Sequence, residues 1–205
     1  MKKYLTFFMS IVLVVFALVG CQEQKTESKL QTNESNTAEA VKPKADDSST
    51  AVVYFSATGT TAKVADNISQ ILNVPCYEIV PENVYSSDDL NYNNDDCRAN
   101  KEMKDESARP AISNDLSAVD NCTTLYIGYP IWWGTAPRII NTFLDNHNMN
   151  GKTIYTFCTS GSSDIEQSIN DLKKNYTDIN IAGGQRFGSS ASKEDVQKWL
   201  NSLGE

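Results

Sequence analysis

Five apolar residues, Ala51-Val52-Val53-Tyr54-Phe55, lead directly into Ser56-Ala57-Thr58-Gly59-Thr60-Thr61, and over residues 60–72 the apolar positions change to helical spacing. An uninterrupted apolar strand must be covered on both faces, the condition of a parallel sheet flanked by helices. Ala62, Val64, Ala65, Ile68, Ile71 and Leu72 fall largely on one side of the helix, which Asn73 closes. The same change of period recurs along the chain. Residues 76–80, 124–128 and 152–158 read as further strands, and 181–187 as a weak fifth. Helical spacing follows over 137–145 and 164–176, and Ser192 opens a last helix with Val196, Trp199, Leu200 and Leu203 on one face. Ser192 and Asp195 form a capping-box pattern. Strands alternating with helices predict an α/β, doubly wound parallel sheet of five strands. Such sheets place ligands outside the carboxyl ends of their strands.

The loops after the first, third and fourth strands are therefore the candidate site. The first, residues 56–61, lacks the lysine of a P-loop and the G-x-G-x-x-G of a dinucleotide site. Its hydroxyls and backbone N–H groups converge where a helix N-terminus carries partial positive charge, which holds an anion without a cation. One hydroxyl suffices for a helix cap; Ser56, Thr58, Thr60 and Thr61 are more than that. The second loop is Gly128-Tyr129-Pro130-Ile131-Trp132-Trp133-Gly134-Thr135-Ala136-Pro137. Adjacent tryptophans beside a rigid proline and a glycine suit contact with a flat π system, although two half-packed core rings would read the same way. The third loop, Thr159-Ser160-Gly161-Ser162-Ser163, is small enough for close backbone approach and weak evidence alone.

Taken together these loops resemble those of the flavodoxin family over about residues 51–203. Residues 56–61 are similar to the T-x-T-G-x-T phosphate loop of flavodoxins, with Ser56 in place of the first threonine. Residues 130–137 resemble the P-x-W-W-G-x-x-P loop of flavodoxin-like reductases and of a flavodoxin subfamily. The resemblance implies a flavodoxin-like sheet of order 2-1-3-4-5 and FMN as cofactor. It implies Ser56, Thr58, Gly59, Thr60 and Thr61 at the phosphate. It places Pro130, Ile131, Trp132, Trp133 and Gly134 at the isoalloxazine, with either tryptophan lining the ring, and Thr159, Ser160, Gly161 and Ser162 as the matching ring loop. The chain departs from short flavodoxins in having no aromatic residue between Cys158 and Tyr176 to cover the ring's outer face.

Residues 81–120 interrupt the alternation with a long polar insertion, in which 98–105 reads as a helix. Loops of this length are often functional, and a surface excursion fits equally. Tyr85 or Tyr92 is the candidate lid over the ring. Arg98 and Arg109 are candidates for its N1–C2=O edge, against the plainer reading of solvated surface charges.

Lys2 and Lys3 precede an apolar core over residues 4–19, followed by Leu18-Val19-Gly20-Cys21. The core is shorter than the ~20 residues that span a bilayer, and the L-V-G-C run resembles the bacterial lipoprotein box. That resemblance implies a signal over 1–20, lipidation of Cys21 and a location on the extracytoplasmic face of the cell membrane. Residues 22–50 are polar and unperiodic, a disordered tether spanning about 30 Å on average. The folded domain is then 51–205. The net charge of −8 argues against nucleic acid as a partner. Cys76, Cys97, Cys122 and Cys158 form no C-x-x-C pair and lack zinc spacing, and His147 is the chain's one histidine, so no metal site is expected.

Two functions fit these features. One is an electron carrier between redox partner proteins or small acceptors; the other is an NAD(P)H-dependent FMN reductase of quinones or similar acceptors. An open ring face favours the reductase, and the acidic surface without an evident dinucleotide site favours the carrier.

Overall fold

The computed structural model describes residues 49–204; the signal and Cys21 readings lie outside the described residues, as does the tether except for its last two positions, where Thr50 already belongs to the first strand. Every predicted strand forms. β1 (Thr50–Tyr54), β2 (Cys76–Glu78), β3 (Thr124–Pro130), β4 (Thr153–Thr159) and β5 (Asn180–Phe187) make one parallel sheet in the order β2-β1-β3-β4-β5. The chain leaves β1 for one edge through β2 and returns to the other side through β3. The switch point is therefore between β1 and β3.

Alternation along β1 explains the two layers. Ala51, Val53 and Phe55 point to one face, with Leu125, Ile127 and Tyr129 of β3, and are covered by α3 (Arg138–Asn146), α4 (Glu166–Asn175) and the insertion. Val52 points to the other, with Tyr126 and Phe157, under α1 (Thr60–Leu72) and α5 (Lys193–Leu203). Helix α1 occupies the residues the sequence predicts, because Asn73 takes the left-handed conformation (φ 53°) that ends it. Helix α5 begins with the complete Ser192–Asp195 capping box.

Strand β2 is shorter than the predicted 76–80. Beyond Glu78 its backbone is taken by the returning insertion. Asn114 accepts from the Val80 N–H (3.0 Å) and donates to the Glu78 carbonyl (2.8 Å), so the strand gains a side-chain partner in place of a ladder. Helix α4 starts at Glu166 rather than 164, after an Ile165 N-cap that makes no side-chain capping bond.

The insertion is no surface excursion. Its helix α2 (Arg98–Lys104) buries Ala99, Asn100 and Met103, and Tyr85, Leu116 and Val119 join the same core. Arg138, buried at the start of α3, donates to the carbonyls of Glu102 (3.4 Å) and Met103 (3.1 Å) and so closes the open end of α2. At the opposite end of the sheet, Lys152 is 5% exposed, and its ammonium donates to the carbonyls of Val119 (3.2 Å), Asp120 (2.7 Å) and Cys122. No described helix is long and apolar enough to cross a membrane.

Candidate functional site

The first loop keeps its donors free. Gly59 is the N-cap of α1 with φ +82°, a conformation natural to glycine, and no side chain caps the helix. The leading N–H groups of α1 thus have no intrahelical partner, and capping does not explain the hydroxyls. Ser56 Oγ is buried without a hydrogen-bond partner among the described residues. Thr58 and Thr60 reach only each other, at 3.5 Å. Thr61 is different. It is buried and bonds Thr159 Oγ1 at 2.7 Å, fastening the start of α1 to the end of β4.

The second loop separates its two tryptophans. Trp132 and Thr135 exchange backbone bonds of 3.0 and 3.1 Å around Trp133 (φ +49°) and Gly134 (φ +81°), and two successive positive φ values mark a type I′ turn. A Cβ on Gly134 would meet the Gln167 side chain at 3.0 Å. Trp132 points inward, 3% exposed, with edge contacts to Phe55 (5.7 Å) and Tyr85 (5.2 Å). Trp133 points outward, 46% exposed, with its ring edge-on to Tyr92 at 4.9 Å. Ile131 N–H donates to the Thr159 carbonyl (3.0 Å), joining the second loop to the third. In the third loop Ser160 N–H bonds the Phe187 carbonyl (3.1 Å). Arg186 donates from outside to the carbonyls of Ser160 (3.4 Å) and Gly161 (3.5 Å), a support that no motif announces.

These loops enclose a cavity of about 440 Å³ at the switch point, within the usual range for small-molecule sites. Its walls are Ala57, Thr58 and Thr60 from the first loop, Pro130, Ile131 and Trp132 from the second, and Thr159, Ser160 and Gly161 from the third, joined by Leu90, Tyr92 and Ser189. Ser56, Gly59, Thr61, Trp133, Gly134 and Ser162 are not among the walls, although Ser56 and Gly59 belong to the same first loop as Thr58 and Thr60. Tyr92 is one of the two candidate lid tyrosines, whereas Leu90 and Ser189 carry no motif that marks them as walls, since they arrive from the insertion and from beyond β5. A larger cavity of about 540 Å³ beside β5 and α5, lined by Arg186, Lys198 and Trp199 among others, contains none of the predicted residues. Convergence of loops, not volume, marks the site.

None of the wall residues is charged. Partial burial, with a smaller push from Cys97, raises the Tyr92 phenol above its ordinary value. Beneath Thr159, burial pushes the Cys158 thiol up to about 12. Cys76, Cys97 and Cys158 are free thiols. Among the described residues no cluster of His, Cys, Asp or Glu could hold a metal.

The candidate arginines do not line the cavity. Arg98 lies over the Tyr85 ring (3.9 Å), pairs with Glu102 (2.6 Å) and donates to the Asn83 carbonyl (2.6 Å). Arg109 pairs with Asp145 at 2.5 Å. Arg98 braces the insertion internally, and Arg109 ties it to α3. Tyr85 is equally committed, being 7% exposed under Trp132 with its hydroxyl donated to Glu102 (2.5 Å), which leaves Tyr92 as the insertion's tyrosine at the cavity.

The sequence matches the flavodoxin family over residues 49–203. The chain belongs to the flavodoxin family. It is similar to a solved structure described as a flavoprotein from Bacteroides eggerthii, at 40% identity over 76% of this chain and 98% of that one, with a TM-score of 0.72. A second, from Bacteroides uniformis, is 42% identical over 75% and 98%, with a TM-score of 0.72. A flavoprotein from Lactobacillus acidophilus in complex with FMN shares the fold at 24% identity over 74% and 97%, with a TM-score of 0.57. No curated protein matches the chain.

FMN is the cofactor of flavodoxins, and the residues of this flavodoxin fit it. A phosphate needs donors, and the first loop offers an orphaned buried hydroxyl at Ser56, two under-used ones at Thr58 and Thr60, and an uncapped helix start. A flat ring needs an apolar slot, and Pro130, Ile131 and Trp132 face the small third loop across the cavity.

Proposed function

We propose that this flavodoxin is an electron carrier that binds FMN in the cavity between the three loops. Bound FMN supplies the capacity to accept and release electrons singly or in pairs. Ser56, Thr58 and Thr60 with the start of α1 hold the phosphate by neutral donors. Pro130, Ile131 and Trp132 exclude water from one side of the ring, and Thr159, Ser160 and Gly161 bring backbone to its edge. The observation that carries the carrier reading is the charge around the opening. The walls hold no cation, and residues 82–97, which supply Leu90 and Tyr92, contain five acids and no base. Asp95 and Asp96 are paired with Lys104 and Lys101, which leaves Glu82, Asp88 and Asp89 as the segment's excess negative charge, and that charge disfavours a dinucleotide's pyrophosphate. Hydride transfer also requires a nicotinamide stacked with reacting atoms ~3–3.5 Å apart.

Mixing the FMN-loaded protein with NADH or NADPH, with and without a quinone, tests this directly. Turnover no faster than that of free FMN is expected. Fast NAD(P)H oxidation would sink the carrier and leave the reductase standing.

The location is proposed on sequence alone. Leu18-Val19-Gly20-Cys21 supports a lipid anchor at Cys21 that holds the carrier on the outer side of a membrane. A Cys21→Ser variant should leave the membrane fraction or accumulate as precursor, and fractionation like wild type would refute the anchor.

A further inference from the structure

Val84, Tyr92 and Trp133 are the large hydrophobic side chains exposed among the described residues. Two of them touch each other, and one of those two is a wall of the cavity. From this we infer that Tyr92 covers the outer face of the flavin ring and that Trp133 is the positioning residue that holds it there. The inference rests on the FMN reading above and assigns the role that a third-loop aromatic plays elsewhere in the family to a residue lying before β3.

Three observations converge on it. First, the third loop has no aromatic to offer, whereas Tyr92 stands at the same cavity, 56% exposed. The Tyr92 ring meets Trp133 edge-on and still faces solvent, so it has surface left for a planar ring to pack against.

Second, the backbone carrying Tyr92 is built to stay in place. Asn100 is 3% exposed and donates to the carbonyls of Tyr92 (3.5 Å) and Asn94 (2.7 Å). The same turn is closed by Cys97 N–H on the Asn94 carbonyl (3.0 Å), and Ala99 N–H bonds the Asp89 carbonyl (3.0 Å). A loop held from within by a buried amide presents its side chain in a fixed direction.

Third, Trp133 occupies a conformation that a tryptophan does not favour. Its φ of +49° suits glycine or asparagine. Strain of this kind persists where the surroundings enforce it, and it marks positions worth a functional explanation. The turn could be made by another glycine without strain; what tryptophan adds is a ring edge-on to Tyr92 at 4.9 Å and 75°. Trp133 therefore reaches the flavin through Tyr92, while Trp132, its neighbour in sequence, reaches the cavity directly.

The test compares FMN-loaded full-length protein with Tyr92→Ala, Tyr92→Phe, Trp133→Gly and, as a control from the same insertion, Val84→Ala. The readouts are flavin fluorescence, its quenching by acrylamide, and the dissociation constant for FMN. Tyr92→Ala should brighten the flavin, raise its accessibility to acrylamide several-fold and weaken FMN about threefold to tenfold, the range for an aromatic pair. Tyr92→Phe should restore all three, and Val84→Ala should change none. Trp133→Gly suits the positive φ and so does not threaten the turn; its flavin should fall between wild type and Tyr92→Ala. If Tyr92→Ala binds FMN with wild-type fluorescence and quenching, Tyr92 does not cover the ring, and the aromatic pair is a docking patch instead. If Trp133→Gly matches wild type, the positioning role is refuted. Failure of the wild type to bind FMN at all would strike the proposed function itself.

Discussion

The three short loops and the long insertion meet at one cavity, yet they are held by opposite means. The loops follow directly from β1, β3 and β4, and their shape comes from strand ends, one buried Thr61–Thr159 bond and two turns with positive φ. Their hydroxyls are left over for a ligand. The insertion follows only the three-residue edge strand β2. It is fixed by side chains that bind it to the body: Tyr85 in an aromatic cluster with Phe55 and Trp132, Arg138 under α2, and Arg109 on Asp145. The contrast teaches that one site can combine local chemistry with packing recruited from far along the chain.

Tyr85→Ala challenges this contrast most severely. It removes the insertion's buried anchor and leaves Glu102 without its phenolic donor, so urea unfolding should show a loss of about 3–5 kcal/mol, as for other buried aromatics. A loss below about 1 kcal/mol would mean that the insertion is an appendage after all.

The loops should fail differently. Thr58→Ala and Thr60→Ala should leave thermal stability nearly unchanged while each weakens FMN by about 1–3 kcal/mol, the range for bonds to a charged group. Riboflavin, lacking the phosphate, should bind wild type and variants alike. Equal wild-type affinity for FMN and riboflavin in a fluorescence titration would remove the phosphate from this loop. Thr61→Val reverses the pattern. It keeps the shape and strands the Thr159 hydroxyl in a buried place, so about 1–3 kcal/mol of folding stability should go, with FMN affected only indirectly. Arg109→Ala should matter least. Its pair with Asp145 is more than a third exposed, and calorimetry should register less than about 1 kcal/mol; a larger loss would make the insertion's surface tie as important as its buried one.

The same contrast explains what the sequence disclosed. Wherever structure follows from nearest neighbours, the reading was direct. Apolar runs became strands, Asn73 ended α1, Ser192 and Asp195 capped α5, and Thr58, Thr60, Pro130, Ile131, Trp132, Thr159, Ser160 and Gly161 came together in one cavity. Within the insertion the helix over 98–105 is legible, and Ala99 and Met103 keep helical spacing, but Tyr85 and Cys97 stand outside any period among acids and asparagines. The contacts that bury the insertion, such as Arg138 with the Met103 carbonyl, cross the sequence. Trp132 and Trp133 were likewise indistinguishable as letters, since a positive φ at one of them decides which way each ring turns. Even the short β2 depended on Asn114, a residue from the far end of the insertion.

At the opposite end of the sheet, Lys152 sets how the domain opens. Its ammonium is enclosed by three carbonyls at the foot of β3 and β4. Pulling any one of them away bares a dipole while the charge stays inside, so no half-open state is cheap there. The loop end carries no such charge and can breathe alone. Amide protons near Lys152 should therefore trade with solvent deuterium only when the whole domain comes apart, while those of the cavity loops trade through small excursions. Ligand entry then disturbs one end of β3 and β4 while the other keeps the sheet in register.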